Sequence, residues 1–169
     1  MISLDANIII YSLNKTMSEH ERARNFLLQL SDRNDVAIAE QILVEVYLLI
    51  RNPAVFPNPY SSEEAAQVCE GYRSNPRWRL VECMPVMSEV WRHAAAPAFA
   101  RRRIIDARLA LTLRAAGVTD LATRNVKDFT DFGFDRVWDP FQNPNAPHPR
   151  IACSPAPRGV SLYASSLLS

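Results

Sequence analysis

Apolar positions along the 169-residue chain fall into short runs separated by polar, proline or glycine punctuation. Residues 2–10, ISLDANIII, form a nearly continuous apolar run and read as a buried strand. Residues 18–30 change to a helical period, with Ala23, Phe26, Leu27 and Leu30 on one stripe and a Ser18-x-x-Glu21 capping box at the start. A polar turn at 31–35 leads to a short apolar strand at 36–39. A second helix over 40–50 is stopped by Asn52-Pro53. The proline-punctuated loop PAVFPNPYSS precedes a third helix near 62–72, and 78–82 reads as another strand. Pro85 opens a helix running to about residue 95, and FARRRIIDARLALTLRAAG is a helix closed by Gly117. VTDLAT (118–123) follows as a strand and DRVWDP (135–140) as a short edge strand. Strands alternating with helices of this length predict an α/β fold, three layers α/β/α around a mainly parallel central sheet.

The pattern breaks at the far end. Six of the twelve prolines stand at or after position 140, no acidic residue follows it, and the apolar period is lost. The expectation is one folded domain over residues 1–141 and a proline-rich, disordered tail over 142–169, whose composition cannot bury a core. Three widely spaced cysteines, Cys69, Cys83 and Cys153, give neither a disulfide framework nor a C-x-x-C metal site, which fits a reducing cytoplasm. The first residues lack the basic start of a signal peptide, and no apolar run reaches membrane-spanning length, so no membrane association is expected. A formal net charge of +1 says little about partners, which leaves the placement of individual charges to decide.

Three acids stand where apolar residues are expected. Asp5 interrupts the first apolar run. Glu45 lies on the inward stripe set by Ile42, Val46 and Leu49, and Asp106 occupies the i position of the stripe continued by Leu109, Ala110 and Leu113. Any one of them alone is equally well a capping or arginine-paired acid. Ligands of open α/β sheets bind beyond the carboxyl ends of the strands, and Asp5, Glu45, Asp106 and Asn125, which follows VTDLAT, can all reach that edge. Like charges gathered there must hold protons or bind a cation, and an oxygen-only donor set selects Mg²⁺ or Mn²⁺.

The same residues carry a family resemblance. MISLDANIIIY, EQILVEVY, IIDARLALTL and LATRNVKDF resemble, in order, the four motif blocks of PIN-domain nucleases, and more narrowly the VapC-type toxins of bacterial toxin–antitoxin pairs, over about residues 1–141. The resemblance implies a Mg²⁺-dependent endoribonuclease with catalytic positions Asp5, Glu45, Asp106 and Asn125, of which Asp5 and Asp106 are metal ligands. At the fourth position many relatives carry aspartate; here Asn125 stands there with Asp128 three residues on, so either can fill it. Thr123 is expected to orient the pocket through its hydroxyl. Asn7 either ties the first loop to the pocket or has a turn-forming or helix-capping role. One carboxylate, Asp106 or Asp5, is placed to take a proton from water. The resemblance also implies an RNA substrate, a cognate antitoxin and a homodimer.

Arg101, Arg102 and Arg103 precede Asp106 at the amino end of a helix, where cations oppose the helix dipole. With Arg108, Arg124 and Lys127 they form a candidate RNA-binding rim; the alternative is a solvated basic face or a surface for an acidic partner. Trp78, Trp91 and Trp138 each sit in an apolar pattern and are expected in the core. A phosphatase of the haloacid dehalogenase kind needs a second aspartate two residues after the first, followed by glycine, where this chain has Asn7 and Ile8. The remaining rival is a catalytically weak or inactive domain that only binds RNA or antitoxin.

Overall fold

The computed structural model describes residues 1–142; the tail expected over 142–169 otherwise lies outside the described residues. Its elements are β1 (Ile2–Leu4), α1 (Ala6–Leu13), α2 (His20–Ser31), β2 (Val36–Ala39), α3 (Glu40–Ile50), α4 (Ser62–Arg73), β3 (Arg79–Val81), α5 (Met87–Ala94), α6 (Arg103–Ala115), β4 (Asp120–Ala122), a 3-10 turn (Val126–Asp128) and β5 (Arg136–Trp138). The five strands pair in parallel in the order β3-β2-β1-β4-β5. From β1 the chain steps outward through β2 to β3, then returns across β1 to β4 and β5. Right-handed crossovers therefore put α1 to α4 on one face and α5 and α6 on the other. The packing agrees: α1 contacts α2 and α3, α3 contacts α4, and α5 contacts α6.

The first apolar run is split between two elements, which corrects the strand expected over 2–10. β1 ends at Leu4, Asp5 takes an extended backbone at φ −86° and ψ 157°, and Ala6 begins α1. Ile8, Ile9 and Ile10 are all buried, so the run carries no helical stripe to betray the change. The capping box at Ser18 is not formed either. Glu19 is the N-cap of α2, and the Ser18 hydroxyl donates to Glu19 Oε2 at 2.7 Å. A capping box does form at α4, where Ser61 Oγ accepts from the Glu64 amide and Glu64 Oε2 accepts from the Ser61 amide. The long helix expected from residue 99 starts only at Arg103, because turns occupy the residues just before it. Its end is as expected: Gly117 adopts φ +87°, a conformation costly for any residue with a Cβ.

The core lies on both faces of the sheet. β1 and β2 are buried along their whole length, as parallel strands covered twice must be. The stripes of α2 (Ala23, Phe26, Leu27, Leu30) and α6 (Leu109, Ala110, Leu113) are buried, whereas on α3 Ile42, Leu43, Val46 and Ile50 are buried and Leu49 only partly so. Trp78 is buried and donates from Nε1 to the Leu30 carbonyl at 3.1 Å. Trp138 is half-buried, but Trp91 is 58% exposed, against the expectation that it joins the core. Among the described residues no helix is long and apolar enough to cross a membrane.

Candidate active site

The site begins at the reversal of strand order, where β1 lies between β2 and β4. In the β1–β4 register Leu4 pairs with Ala122, which sets the next residues, Asp5 and Thr123, side by side at the carboxyl edge. The Asp5 amide donates to the Ala122 carbonyl at 2.9 Å, closing the pair. Thr123 Oγ1 donates to Asp5 Oδ2 at 2.6 Å, and Asn7 Nδ2 donates to the same oxygen at 2.7 Å. The hydroxyl oxygen of Thr123 in turn accepts from Asn7 Nδ2 at 3.2 Å and from the Asn125 amide at 3.0 Å. Of the two roles open to Asn7, the structure selects the tie between the first loop and the pocket.

Two further contacts bring the other acids in. Gln41 Nε2, at the start of α3, donates to the Ile105 carbonyl at the start of α6 at 3.0 Å. Glu45 lies one helical turn beyond Gln41 and Asp106 directly after Ile105, so this one bond faces the two acids toward each other. Arg103, one turn before Asp106, pairs with Asp131, three residues after Asp128. The guanidinium also lies 5.5 Å from the Phe132 ring centroid and 5.9 Å from that of Phe99. The segment carrying Asp128 is thereby fastened to the helix carrying Asp106.

The electrostatics report the same convergence. Burial pushes the Asp5 carboxyl above its ordinary range, opposed by the hydrogen bonds from Thr123, Ala6 and Asn7, and the charge of Asp128 adds to the rise. Glu45 is pushed up to about 7, first by burial and then by the charges of Asp5 and Asp106. Asp106 is pushed up to about 6 by burial, then by Asp128 and Asp5, with Arg103 pulling the other way. Four acids from four segments are thus linked, Glu45 and Asp128 each through Asp5 and Asp106. The fourth is Asp128. Asn125 is exposed just ahead of the 3-10 turn and takes part through its backbone, while the turn itself carries Asp128 into range of Asp5 and Asp106.

Among the described residues no three His, Cys, Asp or Glu side chains already form a metal cage. The donor chemistry nevertheless fits a hard divalent cation: every acid is a carboxylate, burial and then neighbouring negative charge raise the pKa of Asp5, Glu45 and Asp106, and Arg103 opposes the rise at Asp106.

The structure divides the basic residues expected to bind RNA. Arg101, Arg102, Arg108 and Lys127 are exposed. Arg103 is engaged by Asp131 and two rings, as described. Arg124 donates to Asp139 Oδ2 at 2.6 Å and to Glu19 Oε1 at 3.2 Å and lies over the rings of Tyr11 and Phe141. Its charge is spent on holding the end of the described chain against α1 and α2, a task shared by Arg22, which donates to the Phe141 carbonyl at 3.1 Å. Sequence reasoning missed both fastenings, since their partners lie 15 to 119 positions away and no spacing rule links them.

Known proteins share this architecture. Ribonuclease VapC24 of Mycobacterium tuberculosis is 54% identical over 140 residues, which span 83% of this chain and 97% of the relative. The chain belongs to the VapC family. The VapC fold is also visible in solved structures, whose lower identities speak for the fold alone. The M. tuberculosis toxin VapC20, described as cleaving the sarcin-ricin loop, superposes with a TM-score of 0.60 at 18% identity, covering 79% of this chain and 96% of that one. FitAcB of Neisseria gonorrhoeae superposes at 0.57 with 23% identity, covering 85% and 100%. VapBC2 of Rickettsia felis, solved with a DNA fragment from its promoter, gives 0.50 at 19% identity, covering 82% and 100%. No protein-family model matches the chain.

Proposed function

We propose that this VapC-family chain is a metal-dependent endoribonuclease that hydrolyses RNA phosphodiester bonds at the acidic cluster, and that it is the toxin of a toxin–antitoxin pair. The observation that carries the reading is the convergence of Asp5, Glu45, Asp106 and Asp128 on one sheet edge, with charges that act on one another. The ribonuclease name of the 54% identical relative supports RNA as the substrate. Mg²⁺ or Mn²⁺ is the cofactor this donor set suits, held by Asp5 and Asp106 with Glu45 and Asp128 beside them. When bound, such an ion supplies a water of lowered pKa and neutralises charge on the phosphate. Thr123 and Asn7 fix the plane of the Asp5 carboxylate by arriving at one of its oxygens, leaving the orientation of the other set by geometry rather than by solvent. A carboxylate of the set takes the proton of the attacking water, and Glu45, pushed up to about 7, can exchange a proton near neutrality.

The position taken by Asp128 supports an active enzyme over a disabled relic, because the asparagine at position 125 does not deprive the cluster of its fourth acid. A cognate antitoxin and a homodimeric unit are part of the same proposal, and the toxin–antitoxin complexes among the structural neighbours support the antitoxin. A cytoplasmic setting follows from an RNA substrate.

Asp5→Asn and Asp106→Asn are expected to lower Mg²⁺-dependent cleavage of RNA by at least about a hundredfold while circular dichroism and melting stay native, a loss typical of removing a metal-site carboxylate. In cells, production of the chain alone arrests growth and Glu45→Gln relieves the arrest. Undiminished cleavage by the folded Asp5→Asn and Asp106→Asn proteins contradicts the assignment.

A further inference from the structure

Beside Asp128 the surface opens into a cleft of about 730 Å³ between the 3-10 turn and the end of β5, lined by Asn125, Lys127, Asp128, Trp138 and Gln142 among others. Its volume falls in the range of small-molecule sites. One wall is stiff: Phe26 meets the Trp138 indole edge-on at 6.4 Å and 82°, and the Arg136 guanidinium lies 4.4 Å from the indole centroid. The other side carries exposed polar groups of the right kind for a nucleotide. Asn125 and Gln142 offer amides, each both donor and acceptor, and Lys127 offers an ammonium. Arg124 lines the same cleft, but its charge is balanced by Asp139 and Glu19, so Lys127 is the cation left to meet a phosphate there.

We propose that this cleft seats a nucleoside of a single-stranded RNA next to the phosphate held at the acidic cluster, with the base against Trp138, its polar edge at Asn125 and Gln142, and its phosphate at Lys127. The proposal rests on the ribonuclease reading above and deepens it by stating on which side of the cluster the strand runs. Arg101 and Arg102, at the start of α6, are not among the residues that line the cleft. Indole and amides at one site read an unpaired base, whose face and edge are both open, and not a base within a duplex.

The test uses the full chain in EDTA at low salt and a fluorescein-labelled single-stranded octaribonucleotide of mixed sequence, followed by anisotropy. Lys127→Ala is expected to weaken binding about threefold to tenfold and to lower the slope of log affinity against log salt by about 0.7, the value for one lost phosphate contact on a single strand. Trp138→Leu is expected to weaken binding by about tenfold or more, as loss of a base-packing ring does. Asn125→Asp, a surface change that leaves packing alone, is expected to weaken it too by placing a like charge beside the RNA, so the proposal stands even if Trp138→Leu misfolds. Unchanged affinity and salt slope in Lys127→Ala and Asn125→Asp, with loss in Arg101→Ala and Arg102→Ala, overturns the subsite. In that case Mg²⁺-dependent cleavage by the unsubstituted chain still upholds the ribonuclease reading. If the unsubstituted chain cleaves no RNA with either Mg²⁺ or Mn²⁺, that reading fails and the subsite falls with it.

Discussion

At the scale of single residues, the site works by keeping charge where burial opposes it. Asp5 and Thr123 are 118 positions apart, yet the hydroxyl of one donates to the carboxylate of the other at 2.6 Å. Thr123 is fully buried, and without its hydroxyl Asp5 would lose a donor that opposes the effect of burial on its charge. Among the described residues no side-chain donor opposes the rise at Glu45, which is pushed up to about 7 from an ordinary 4.5. A raised folded-state value means that the native protein holds this proton more tightly than the unfolded chain does. The stabilisation is therefore fully present below about 4.5 and is lost as pH rises through about 7. Asp106, raised to about 6, acts in the same direction. The metal-free chain is expected to melt at a lower temperature at pH 8 than at pH 5.5, measured by differential scanning fluorimetry, and Glu45→Gln to shrink that difference. A metal-free melting temperature that rises steadily from pH 5.5 to 8 contradicts this electrostatic picture. Glu45 and Asp106 were legible as inward from apolar periodicity, and Asp5 from its break in the first apolar run. The choice between Asn125 and Asp128 was not, because it depends on a single 3-10 turn, and a three-residue turn leaves no periodic trace.

At the scale of elements, the chain's own punctuation decided what could be read. β2 and α3 were expected at 36–39 and 40–50 and stand at Val36–Ala39 and Glu40–Ile50, since a polar turn precedes them and Asn52-Pro53 follows. The boundary between β1 and α1 was not legible, because every apolar residue from Ile2 to Ile10 is buried whichever backbone it adopts. The fastening of α6 to the segment after the 3-10 turn was invisible for another reason: Arg103 and Asp131 are 28 positions apart and meet only through the return of the chain to β5. Asp131 is exposed, so the ion pair itself contributes little to global stability, less than about 1 kcal/mol. Its effect falls on geometry, because it joins the carriers of Asp106 and Asp128. Asp131→Ala is expected to weaken Mn²⁺ binding by about tenfold while leaving the urea midpoint nearly unchanged, since supporting groups around metal ligands have effects of that size. Isothermal titration checks the first and a denaturation curve the second. A large stability loss with unaltered Mn²⁺ affinity would make the pair a structural brace and nothing more.

At the scale of the whole molecule, the order β3-β2-β1-β4-β5 concentrates chemistry at one place. Chain leaving β1 heads toward β2, and β4 arrives on the other side, so the carboxyl ends of β1 and β4 border a crevice that no crossover covers. Asp5 and Thr123 are the residues directly after those strand ends. The fold class was legible from strand and helix alternation, while the strand order, which makes the crevice, had to come from three dimensions. The segment similar to the VapC relative is 140 residues long, and the described chain closes at its far end with Phe141 buried and its carbonyl bonded to Arg22. A chain ending at Gln142 is accordingly expected to fold, to melt within a few degrees of the full chain and to keep its Mg²⁺-dependent cleavage; a truncated chain that aggregates or is inactive would assign the tail a part in the fold or the site.

Whether acids from four segments share one divalent cation is decided by anomalous diffraction from crystals soaked in Mn²⁺. A single strong manganese peak is expected, bounded by the carboxylates of Asp5 and Asp106, with Glu45 and Asp128 facing it. Manganese found only at other surface carboxylates, with none between Asp5 and Asp106 at millimolar concentration, would contradict it.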